Sequence, residues 1–138
     1  MIGILLITHG QLGESLIHCA CHVLNKSPPA LRHIGVTAQD DPLLLLPNAR
    51  RIVEELDSGD GVLVLTDMYG GSPSNIATKL LVPGHVEAVA GASLPMLLRA
   101  LTYREKSLQT MVMKAVSGGC EGVMRVPGLR IQNAPAGS

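Results

Sequence analysis

The chain has no tryptophan, no phenylalanine and only two tyrosines among 138 residues. Nucleic-acid bases would find almost nothing to stack on. Eleven basic residues balance eleven acidic ones, so the cationic footprint of a nucleic-acid surface is missing as well. Cysteine is sparse and odd in number, at Cys19, Cys21 and Cys120. That pattern speaks against a disulfide scaffold and for a reducing compartment. The apolar opening, Met1 to Ile7, has no basic flank and breaks at Thr8-His9-Gly10. It is too short for a signal peptide or a membrane span. A cytoplasmic protein without membrane insertion is expected.

What is present is aliphatic. Hydrophobic residues make up 46% of the chain, enough for one core built from Leu, Val, Ile, Ala and Met, and the length suits one domain. Ile2 to Ile7 reads as a strand buried on both faces. Glu14 to Asn25 follows as an amphipathic helix with Leu16, Ile17, Ala20, Val23 and Leu24 on one face. Leu31 to Thr37 passes as a second strand. Asp40-Asp41-Pro42 opens a second helix toward Leu56, with a kink or late start expected at Pro47. Val62 to Thr66 is the clearest buried strand. A helix over Ser74–Leu81, a strand over Val86–Ala90, a helix capped by Ser93 and ending near Tyr103, and another over Leu108–Val116 that stops at Ser117-Gly118-Gly119 complete the series. Val123 to Val126 reads as a last short strand, and residues 127–138 as a disordered tail.

Strand and helix alternate four times, which implies an α/β fold with an open, doubly wound, mostly parallel sheet. In the order 2-1-3-4, taken as the expected one, the first and third strands are neighbours. In such sheets functional groups gather beyond the carboxyl ends of the strands. Two segments meet that description: Thr8-His9-Gly10 after the first strand and Asp67 to Ser72 after the third. A carboxylate at Asp67 that accepts the Nδ1 proton of His9 would fix the tautomer and leave Nε2 as the nucleophile. Gly70-Gly71-Ser72-Pro73 leads into a helix N-terminus, whose free N–H groups favour an anion. Together these parts suit phosphoryl transfer through a phosphohistidine. Singly they are ordinary: a histidine after a strand is structural about as often as chemical, and an aspartate there is commonly a helix cap.

Three segments carry a family resemblance: Ile7-Thr8-His9-Gly10, Val64 through Asn75 with its Asp-x-x-Gly-Gly-Ser-Pro core, and Gly91-Ala92-Ser93-Leu94-Pro95-Met96-Leu97. In this order, across residues 1–126, they resemble the IIA domain of the mannose class of the bacterial phosphotransferase system. The resemblance implies His9 as the phosphorylated residue and Asp67 as its partner. Gly10, Gly70, Gly71 and Ser72 would then lie at the phosphoryl group. It further implies phospho-HPr as donor and a separate IIB component, or a regulatory target, as acceptor. A homodimer would exchange the final strand, in antiparallel pairing, between its subunits. No cofactor is implied.

Other readings use the same residues. A subunit serving dihydroxyacetone kinase would share the fold and the histidine. A non-covalent nucleotide site could use the Gly-Gly-Ser turn, although neither Gly-x-Gly-x-x-Gly nor a Walker lysine is present. His18-Cys19-Ala20-Cys21-His22 looks metal-like, but one helix cannot converge four such ligands on one ion. It reads as a solvated face beside a core cysteine, Cys19. His33 and His85 read as structural or solvated, and Met96, Met111, Met113 and Met124 as core filling.

Overall fold

Runs of Val, Leu and Ile form the strands, and stretches of 3.6-residue periodicity between them form helices on both faces. The structure is a computed structural model and describes residues 1–129. The order is β1 (Gly3–His9), α1 (Leu12–Leu24), β2 (Leu31–Val36), α2 (Pro42–Leu56), β3 (Val62–Thr66), α3 (Gly71–Leu80), β4 (Val86–Ala90), α4 (Leu94–Thr102) and α5 (Leu108–Glu121). The four strands are parallel in the order β2-β1-β3-β4. The register sets Thr8 beside Gly35, His9 beside Val36 and Ile7 beside Thr66.

Alternate residues of the two central strands feed two cores. Leu5, Ile7, Val62 and Val64 pack with Ala49, Ile52, Val53, Ile76 and Ala77 of α2 and α3. Ile4, Leu6, Leu63 and Leu65 pack with Ala20 of α1, Leu97 of α4, and Met111 and Ala115 of α5. A continuous apolar run is what a strand covered on both faces requires. At the amino ends, the buried Arg104 guanidinium donates to the carbonyls of Ile2, Pro29 and Ala30 at 2.6–3.1 Å. Burial lowers its pKa from the usual value.

Several expectations need correction. The second helix does not start late: Asp41 accepts from the Leu43 N–H at 2.9 Å, and Pro42 opens the first turn. Pro47 lies inside this helix, and the bond it forfeits would reach the Leu43 carbonyl, in an exposed first turn where water can substitute. The last helix does not end at Ser117-Gly118-Gly119. Its glycines continue it while letting it close on α4, since a Cβ at Gly118 would fall 2.8 Å from the Cβ of Arg99. The face of α1 toward the sheet is Gly13, Leu16, Ile17 and Ala20, so Cys19 and Val23 are exposed and Cys21 is half-buried. Met96 and Met111 are core residues, but Met113 and Met124 are exposed.

Val123 to Val126 forms no strand within the chain. The segment is irregular, and Val123, Met124 and Val126 are all exposed. Of the expected tail, 127–129 has no regular structure and 130–138 lies outside the described residues. Among the described residues no helix is long and apolar enough to cross a membrane.

Candidate functional site

β1 runs two residues beyond the expected end at Ile7, so His9 is its last residue and not part of the following turn. The carboxyl end of the neighbouring β3 hands over directly to Asp67. The parallel register places Ile7 beside Thr66, so the two residues project from the same edge. His9 Nδ1 lies 2.8 Å from Asp67 Oδ2, and the His9 backbone N–H donates to that oxygen at 3.1 Å. One carboxylate oxygen therefore holds both the ring and the main chain. The other, Oδ1, is buried and has no hydrogen-bond partner among the described residues.

Burial pushes the Asp67 carboxyl up, but the ring and backbone hydrogen bonds from His9 more than offset this and hold it below the usual value. An ionised Asp67 accepts the Nδ1 proton and leaves Nε2 with its lone pair. The His9 side chain is half exposed and that of Asp67 only 12%, so the ring meets solvent while the carboxylate that holds it is largely shielded.

Facing Nε2 is the β3–α3 turn. Gly70 and Gly71 have φ of +90° and +82°, a region that side chains strongly disfavour. A Cβ at Gly71 would sit 3.6 Å from His9 Nε2 and Cε1, in the space a group bonded to Nε2 would enter. Helix α3 then begins with no side-chain cap, as does α1, whereas α2, α4 and α5 are capped by Asp41, Ser93 and Ser107. The two helices that open next to His9 thus leave first-turn amides for other acceptors. On α1 the Gly13 N–H is taken by the Thr8 hydroxyl at 2.8 Å. Ser72 is the second residue of α3, partly buried. Gly10 turns the chain from β1 toward α1, with φ +55°.

Reading the sequence missed a second histidine–aspartate pair. His85 Nε2 meets Asp57 Oδ2 at 2.5 Å at the amino ends of the strands. Asp57 also accepts from the N–H groups of Gly59 and Gly61. The Asp57-Ser58-Gly59 turn pattern could have signalled the carboxylate's role, but nothing local pairs it with a residue 28 positions away. His18 and His22 stand exposed on α1. The described residues contain no group of three or more metal-ligating side chains.

The fold is thus an open parallel α/β sheet with a carboxylate-held histidine at its carboxyl edge, facing a glycine turn and a helix without a side-chain cap. The family model described as PTS system fructose IIA component, EIIA-man, matches residues 3–117. The mannose-specific EIIAB component of Escherichia coli K12 is 32% identical over 136 residues, which cover 96% of this chain and 42% of that protein. The Shigella flexneri EIIAB component matches to the same extent. The chain thus spans less than half the length of these relatives. Among solved structures, the mannose/sorbose-specific IIA subunit from Enterococcus faecalis superposes with a TM-score of 0.83 at 21% identity, covering 95% of this chain and 98% of that one. The IIA protein associated with the fucose utilization operon of Streptococcus pneumoniae gives 0.78 at 25% identity, over 89% and 91% of the two chains. This chain belongs to the EIIA-man family of phosphotransferase-system IIA components.

Proposed function

We propose that the chain is a phosphocarrier that accepts a phosphoryl group on Nε2 of His9 from phospho-HPr. It passes the group to a separate IIB component or keeps it as a regulatory signal. The supporting observation is the 2.8 Å contact between His9 Nδ1 and Asp67. In the reaction, the Nε2 lone pair forms a bond to phosphorus as the nitrogen–phosphorus bond of the donor breaks, and the donor nitrogen keeps that electron pair. No proton leaves His9. The ring keeps its Nδ1 proton, and the positive charge it gains lies against the Asp67 carboxylate. The glycine turn leaves room for the phosphoryl oxygens, with first-turn amides of α3, those of Gly71 and Ser72 among them, and the Gly10 turn alongside. The cytoplasm is the compartment in which this chemistry runs.

The acceptor form is a homodimer. With the order β2-β1-β3-β4, the outer edge of β4 is unpaired beyond the bridge at Val82–Val86 among the described residues. The exposed Val123, Met124 and Val126 segment suits antiparallel pairing along that edge in a second copy. Residues 1–126 form the working domain.

Incubation with phosphoenolpyruvate, enzyme I and HPr tests the carrier reading. Intact-mass analysis is expected to show one added phosphoryl group, labile in acid and stable in base, and none on His9→Ala. Labelling that persists in His9→Ala would transfer the role to another residue.

A further inference from the structure

We infer that Gly35, on the neighbouring strand β2, is a positioning residue for the His9 imidazole. This deepens the carrier reading and rests on it. Gly35 pairs with Thr8 in the sheet register, and a Cβ built on it would fall 2.2 Å from the carbonyl oxygen of Gly10 and 3.3 Å from its carbonyl carbon. The turn that follows His9 therefore occupies the space where any other residue at position 35 would place its side chain. The same turn is bonded to the next residue of β2, with the Gly10 N–H donating to the Val36 carbonyl at 2.9 Å.

On its other side the turn is fixed by Thr8, whose buried hydroxyl accepts from the Gly13 N–H. His9 is thus held from two strands: its backbone lies down on β2, and its ring and N–H are bound by the carboxylate that follows β3. Only when both hold does Nε2 face Gly71 with Nδ1 on Asp67. The obstacle at position 35 is main chain, so no change of rotamer relieves it. A methyl there lifts the Gly10 turn by about 1 Å, a displacement that costs catalytic geometry heavily, and the His9–Asp67 contact lengthens with it.

The test is Gly35→Ala in the full chain. Its phosphoryl transfer from phospho-HPr is expected to slow about ten- to a hundredfold, with half-saturation by HPr changed by no more than about twofold. Nitrogen-15 spectra should show His9 losing its single Nδ1–H tautomer, and the carbon-13 titration of Asp67 should move up toward an ordinary carboxylate. An unchanged tautomer and Asp67 titration would show that β2 yields instead, and would overturn the inference. Should the variant fail to fold, amide exchange on the unaltered protein decides: a protected Gly10 N–H is expected, and exchange at the rate of a free turn would contradict the inference. If His9 of the unaltered protein takes no phosphoryl group, the carrier reading fails, while the tautomer, titration and exchange measurements still decide the role of Gly35.

Discussion

His9 and Asp67 are joined twice through a single oxygen: Oδ2 accepts both the ring Nδ1–H and the backbone N–H of His9. The second bond distinguishes the pair from a surface ion pair, because it fixes the main chain from which the ring projects. Asp67 therefore controls both the tautomer of His9 and its position.

Asp67→Asn keeps the shape and removes the charge. A hydrogen bond to an ionised group contributes about 1.5–3 kcal/mol, so phosphoryl transfer to His9 is expected to fall by about one to two orders of magnitude. Rapid-quench kinetics with phospho-HPr check this, and circular dichroism should show the fold unchanged.

Gly71→Ala combines two effects. The residue must hold φ near +82°, which costs a side-chain-bearing residue about 1–2 kcal/mol, and its methyl enters the space before Nε2. Phosphorylation should drop more than the loss in denaturation free energy accounts for. Equal activity at saturating donor would mean that the group approaches from another side.

Asp57 makes stability depend on pH. Burial raises its pKa, but the Gly59 N–H, His85 and the Gly61 N–H bring it below the usual carboxylate value. A carboxyl lowered in the folded state contributes its stability in full above its unfolded pKa and loses it as pH falls through the folded one. The stability gap between the unaltered protein and Asp57→Asn should therefore be present at about pH 7 and shrink below about pH 4. Urea denaturation at both ends of that range measures it, and phosphoryl transfer at His9 should be unaffected, since Asp57 lies at the opposite ends of the strands.

Removing the chain after Gly122 deletes the exposed Val123, Met124 and Val126 and should convert a dimer into a monomer by sedimentation. An unaltered dimer would place the interface elsewhere.

Much of this was legible in the residues. Val62–Thr66 and Val86–Ala90 were placed to the residue, because buried parallel strands are short continuous apolar runs bounded by turns. The switch-point rule singles out the segments of His9 and Asp67, but their meeting also depends on the order 2-1-3-4, which alternation alone does not supply and which the fold bears out. Glycine was the chief source of error. Gly118 and Gly119 looked like a helix end, but they serve α5's close approach to α4, a tertiary demand that local propensity does not record. Gly35 is illegible in the sequence for the same reason, since only the fold reveals that Gly10 lies over it. Residue type alone points Met113 and Met124 to the core, but Met113 lies on the outward face of α5 and Met124 in the irregular, exposed segment after it.

The site of phosphorylation within the imidazole tests the account most directly. Phosphorus-31 and nitrogen-15 spectra of the protein phosphorylated by phospho-HPr should show a single phosphohistidine, at His9, with phosphorus on Nε2 and the proton retained on Nδ1. Phosphorus on Nδ1 of His9, the atom that contacts Asp67, or on any of the other histidines would contradict it.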